Sequence, residues 1–132
     1  MRPVNARSLP TVLPARGIYL FSEGDRHMYV GRTNRMRARL QEHCRPSSGH
    51  NSAPFAFNLA REATGQTSAS YHGTRDKLDE EPSFNAAFVA AKEQVSRMLV
   101  RFVEERDPMR QALLEMYAAI ALQTPHNSFE NH

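Results

Sequence analysis

The sequence predicts an α+β domain: a small three-stranded, mainly antiparallel sheet flanked by helices in the order β-β-α-α-α-β-α. Three observations predict it. Residues 15–21 and 26–31 are rich in Ile, Tyr, Leu, Phe, Met and Val and are separated by the polar connection Ser22-Glu23-Gly24-Asp25, the pattern of a β-hairpin. Late in the chain, Met98, Val100 and Phe102 alternate with Leu99, Arg101 and Val103, the period-2 pattern of a strand. Between these, and again after the late strand, apolar residues recur at helical spacing.

In the hairpin, side-chain alternation sends Ile18 and Leu20 to one face and Tyr19 and Phe21 to the other. Tyr19 and Tyr29 therefore sit on neighbouring strands on one face with converging hydroxyls, or serve as ordinary cross-strand aromatic partners. Gly31 ends the second strand, where a Cβ would block backbone approach to a ligand or force a strained turn. Asn34 is a good N-cap for a helix running to 41–44, in which Arg39 and His43 stand four apart on one face. After Ser47-Ser48-Gly49, residues 53–63 predict a second helix packed on the sheet through Phe55, Leu59 and Ala63. Residues 64–81 are polar and uneven and predict an excursion loop. Pro82 starts a helix carrying Phe84, Phe88, Ala91 and Val95, and the late strand follows it. Asp107-Pro108 places an N-cap before a first-turn proline, opening a last helix whose apolar stripe is Leu113, Leu114, Tyr117, Ile120 and Ala121, and which Pro125 stops.

At 132 residues, 40% hydrophobic and 23% charged, the chain suits one domain with a real core. Residues 1–15 read as an N-terminal extension and 16–131 as the domain. No apolar run approaches 18 residues and prolines 3, 10 and 14 interrupt any leader-like pattern, so the expected setting is cytoplasmic, with no membrane partner. The single cysteine, Cys44, excludes an internal disulfide and a cysteine-cage zinc site, and His27, His72, His126 and His132 form no zinc spacing. Arginines 26, 32, 35, 37, 39 and 45 face one acid, Glu42, within 26–45, so a sequence pI of about 9.4 rests on the N-terminal third. Such a run is either a solvated face or a surface that attracts phosphate by counterion release and guanidinium contacts.

The tripeptides Gly17-Ile18-Tyr19 and Tyr29-Val30-Gly31, followed by Arg39 and His43 on a predicted helix and then by Glu115 and Asn127, resemble the motifs of the GIY-YIG endonucleases over residues 16–131. Glu115 precedes Pro125-His126-Asn127 by about ten residues, as the glutamate of that family precedes a Pro-x-Asn. The resemblance implies the same fold and a metal-dependent DNA endonuclease that hydrolyses phosphodiester bonds. It implies catalytic Tyr19, Tyr29, Arg39, His43 and Asn127, Glu115 as ligand of Mg²⁺ with Mn²⁺ as a substitute, and substrate contacts from Gly31, Arg32, Arg35 and His50.

In that chemistry Tyr19, assisted by His43, takes the proton of the attacking water, Arg39 clamps the phosphate and the metal stabilises the leaving oxygen. A base role for Tyr19 demands that Arg39 and the metal favour phenolate; a neutral Tyr19 is a hydrogen-bond relay. Arg32 stands where the family more often has a small residue and is either a phosphate contact or a surface charge. His50 is either a secondary site histidine or an exposed loop residue, and Glu115 either a metal ligand or a boundary residue of its helix. Without a separate recognition module, selectivity rests on residues 64–81, the basic helix or a specificity-conferring partner protein, and cleavage is expected to be structure-selective or weakly sequence-selective. The alternative is a non-catalytic DNA-binding module or a nuclease subunit that requires a partner.

Overall fold

The computed structural model describes residues 2–65, 82–125 and 127. The described elements are strands β1 (Val4–Asn5), β2 (Gly17–Glu23) and β3 (Arg26–Thr33), helices α1 (Met36–Cys44), α2 (Pro54–Thr64) and α3 (Pro82–Ser96), strand β4 (Leu99–Glu104) and helix α4 (Pro108–Leu122). No helix among the described residues is long and apolar enough to cross a membrane. The chain divides into two compact units, Met1–Gln41 with Arg97–His132, and Glu42–Ser96, so α1 starts in the first and ends in the second.

The first unit holds the sheet. It is α+β and antiparallel as expected, but has four strands in the order β1-β4-β2-β3 rather than three. The added strand, Val4–Asn5, pairs with Val100 and Leu99 inside the segment read as an extension. Two residues are too few to show a period, and only the exposed edge of β4 makes them a strand. The hairpin forms as the sequence predicts, with Gly24 at φ 59° opening its two-residue loop, a position that a Cβ disfavours. The register slips between Phe21 and Ser22, so Tyr29 faces Phe21 while His27 faces Ser22. This bulge leaves Met28 as the extra residue of β3, and its side chain is buried. Tyr19, Phe21, Val30, Met36, Leu40, Met98 and Val100 are all buried.

Asn34 does not cap α1. Its side-chain oxygen accepts instead from Nε2 of Gln111, and the first helical bond runs from Arg39 N–H to the Arg35 carbonyl, which makes Arg35 the cap position. The Met36 N–H, an orphan donor of the first turn, bonds to the Ala15 carbonyl. Helix α4 begins as predicted: the Asp107 carboxylate accepts from the N–H groups of Met109 and Arg110, with Pro108 at the position that needs no donor. Its apolar stripe, however, is turned outward. Leu113, Tyr117 and Ile120 are exposed, whereas Gln111 and Ala119 are buried and Leu114, Glu115 and Ala118 are partly so. Small residues and two polar ones let the helix approach the sheet closely, and the large residues are left on the other side.

The second unit holds α2 and α3, which pack on each other. The buried face of α3 is the predicted one, Phe84, Phe88, Ala91 and Val95. On α2 it is Phe55, Ala56, Phe57, Ala60 and Arg61 rather than Phe55, Leu59 and Ala63, because Phe57 stacks edge-on against Phe84 and Phe88 at 5.1 and 5.6 Å between ring centroids. Lys92 is buried with them. Its ammonium donates to the carbonyls of Pro46 and Ser48 at 2.7 and 2.8 Å and lies 4.3 Å from the Phe88 ring centre, which fixes the chain after α1. The loop expected at 64–81 lies, from residue 66 onward, outside the described residues.

Candidate functional site

Strand register builds the site of the first unit. Tyr19 stands opposite Gly31 on β3 and Phe102 on β4, while Tyr29 stands opposite Phe21. The two tyrosines are thus diagonal neighbours on one face, with ring centroids 6.5 Å apart and planes tilted by 40°. Phe21 meets the Tyr19 ring edge-on at 5.8 Å. Gly31 is explained by this packing: a Cβ there would fall on the end of the Tyr19 ring, Cζ and hydroxyl included. Its φ is not left-handed, so space for the phenol rather than a strained turn requires the glycine. Gly17 is required likewise, because a Cβ would strike the Val103 carbonyl.

Arg39, on the second turn of α1, hydrogen-bonds the Tyr19 hydroxyl. Burial pushes the Tyr19 phenol far above its ordinary value; the neighbouring Tyr29 and the Glu115 carboxylate act in the same direction, and Arg39 pulls against them without prevailing. Tyr29, which is partly exposed, is pushed up to about 12 by burial, with Arg39 opposing and Glu115 reinforcing. Without a further cation both tyrosines are neutral phenols at physiological pH, which favours the relay over the phenolate.

Glu115 reaches this group from α4. Its side chain is 18% exposed, and Oε1 lies 3.7 Å from Nε of Arg32. Arg32 therefore pairs with the candidate ligand. Asn127 binds the backbone of β3 through both ends of its amide: Oδ1 accepts from the Val30 N–H at 2.8 Å and Nδ2 donates to the Val30 carbonyl at 2.6 Å. One side chain thus completes the open edge of β3 between Tyr29 and Gly31, as a neighbouring strand would.

The first unit brings together Tyr19, Tyr29, Arg39, Glu115 and Arg32, with Asn127 holding the strand beneath them. It leaves Arg35 exposed at the start of α1, its N–H bonded to Thr33 Oγ1. His43 is buried in the last turn of α1, and His50 stacks on Phe57 at 5.5 Å; both belong to the second unit. Arg37, counted in the basic run, is turned to a structural use: its Nη2 donates to the Pro10 and Thr11 carbonyls. His126 lies outside the described residues.

Sequence reasoning missed Gln111. Buried, it donates from Nε2 to Asn34 Oδ1 and to the Glu105 carbonyl, tying the start of α4 to the β3–α1 connection. The available signal was its place one helical turn before Glu115, on the same side of the helix. Among the described residues no group of three or more His, Cys, Asp or Glu stands together as a metal cluster. A cation here would rest on the Glu115 carboxylate with water and substrate oxygens, a donor set suited to Mg²⁺ or Mn²⁺. Comparison of the chain with protein-family models, with curated proteins and with solved structures gives no match.

Proposed function

We propose that the chain is a metal-dependent DNA endonuclease of the GIY-YIG type, hydrolysing phosphodiester bonds with structural or weak sequence selectivity. The observation that carries the reading is the convergence of Tyr19, Tyr29, Arg39 and Glu115, from two strands and two helices, on one face of the sheet. A bound Mg²⁺ or Mn²⁺, held by Glu115, supplies charge stabilisation to the leaving oxygen. The protein's own groups do the rest. Arg39 presents a guanidinium to the phosphoryl oxygens while its bond to Tyr19 fixes its direction. Tyr19, held neutral by burial, accepts a hydrogen bond from Arg39 and would relay the proton of the attacking water to a phosphoryl oxygen of the substrate, taking the water's proton as it gives up its own, and the partly exposed Tyr29 orients that water at the mouth. Arg32 pairs with the Glu115 carboxylate and would be available to a phosphate if Glu115 held a cation. Exposed Arg26, Arg35 and Arg45 add sequence-independent attraction to DNA.

The test is cleavage of supercoiled, linear, branched and flapped DNA by the purified chain with Mg²⁺ or Mn²⁺, beside Glu115→Ala and a chelator. Because Arg32 is nearly half exposed, its pair with Glu115 contributes at most about 1 kcal/mol, so the variant folds and isolates the chemistry. Nicking that disappears in Glu115→Ala and with chelator is the expected result. Cutting that persists in the variant refutes the assignment of Glu115, and binding without cutting under every condition favours a DNA-binding module or a subunit of a larger nuclease.

A further inference from the structure

Helix α4 carries on its outer side a pattern that the site does not use. Met109, Leu113, Met116 and Ile120 follow the 4-3-4 spacing of the a and d positions of a heptad, with Leu113 and Ile120 at a, Met109 and Met116 at d, and Arg110 and Tyr117 at e. A seam of this kind belongs between two helices, yet Met109, Tyr117 and Ile120 are 72%, 70% and 69% exposed. With Leu113 and Met116 they form one apolar stripe on the order of 600 Å², at the upper end of what a monomer ordinarily shows and approaching one side of a standard interface. The stretches of this sequence outside the described residues do not match the seam: 66–81 offers only Tyr71 and Leu78 as large apolar residues, and 128–132 only Phe129.

We propose that this face is the interface of a two-fold homodimer in which α4 pairs antiparallel with α4 of a second copy. The argument is self-complementarity. A two-fold axis between Leu114 and Glu115 sets Leu113 against Met116 of the second copy and Met109 against its Ile120, which alternates a with d throughout the seam. The same axis sets the two e positions on one flank, so that Arg110 lies beside Tyr117 of the second copy, a cation beside an aromatic face, while the small Ala112 lines the other flank. Arg110 also approaches the negative C-terminal end of the opposing helix, and a parallel pair would forgo both contacts. Between Met109 and Leu122 the exposed residues of α4 carry no other charge, so the pairing buries no unmatched ion. Glu115, on the side turned to the sheet, stays out of the seam. The inference is independent of the chemistry assigned to the site.

Sedimentation equilibrium of the full chain tests it. At about 100 µM the wild type is expected at twice the monomer mass, and Leu113→Glu or Ile120→Glu weakens the association at least about tenfold with an unchanged circular dichroism spectrum and, at dilutions where both proteins are monomeric, an unchanged melting temperature. Because both side chains are exposed in the single chain, these variants fold. Leu113→Cys with Met116→Cys, in a Cys44→Ser background, gives a disulfide-linked dimer on mild oxidation, whereas Val12→Cys in the same background does not. A wild type that is monomeric at that concentration overturns the proposal. So does a dimer that is indifferent to both glutamates, or one that the paired cysteines fail to cross-link.

Discussion

Gly31→Ala separates a glycine needed for space from one that is merely present. At an open strand position the change would stabilise, because alanine loses about 0.5–1 kcal/mol less backbone freedom on folding. Here the new methyl lands on the end of the Tyr19 ring, and that ring has little room to retreat: it is 2% exposed, meets Phe21 edge-on and faces Phe102 across the strand. Overpacking of this kind costs about 1–3 kcal/mol, so the net change is a loss of about 1–2 kcal/mol. For a chain of this size the melting temperature falls by roughly 3–8 °C. The assay is thermal and urea unfolding of four proteins: wild type, Gly31→Ala, Tyr19→Leu and the double variant. Leucine removes the ring end that the methyl strikes, so Gly31→Ala becomes neutral or stabilising in that background, and the cycle shows a coupling of about 1–2 kcal/mol. A Gly31→Ala protein as stable as wild type refutes the reasoning, and so does an equal cost in both backgrounds.

Tyr19 and Tyr29 are raised above the ordinary phenol value, so the stability they contribute is complete below about pH 10 and lost as pH rises through the folded-state values, at up to about 2.7 kcal/mol per pH unit while both differ from the unfolded chain. Phenolate absorbance should accordingly show two of the four tyrosines ionising late, and urea melts between pH 8 and 11.5 should weaken in step; normal ionisation of all four contradicts the burial argument. Asn127→Ala strips two hydrogen bonds from the buried Val30 and should cost about 1–3 kcal/mol, with faster hydrogen exchange at the Val30 amide as the local readout. Lys92→Met leaves the Pro46 and Ser48 carbonyls without their ammonium and should lower stability by about 2–4 kcal/mol, measured by urea unfolding. On the proposed function, Tyr19→Phe should slow cleavage by about a hundredfold or more while leaving DNA binding intact, because only the hydroxyl in the relay is lost; activity equal to wild type would remove Tyr19 from the mechanism.

Local chemistry accounts for what was legible in advance. The Gly24 turn, the Asp107-Pro108 helix start and the face of α3 are written by residues whose preferences act within a few positions, and the structure follows them. The placement of Tyr19 and Tyr29 on one face was not settled by alternation alone: the register that leaves the Gly24 turn would set Tyr29 opposite Leu20, on the other face, and the bulge at Met28 moves it opposite Phe21 and so to the Tyr19 side. Strand β1 was not legible, because two residues carry no period and take their conformation from the edge of β4. Nor was the loss of the Asn34 cap: its side chain had a second partner, Gln111, which stands 77 residues away in sequence.

The sequence by itself determined the elements other than β1, the hairpin and the identity of the polar residues available to a site. The tertiary structure alone decided that Gly31 makes room for a phenol, that Asn127 closes a strand edge and that α4 turns its large apolar side chains outward. The physical reason is range. Turn, cap and period are local preferences, whereas the direction a helix faces and the state of a buried phenol depend on which distant groups share its space and its electric field.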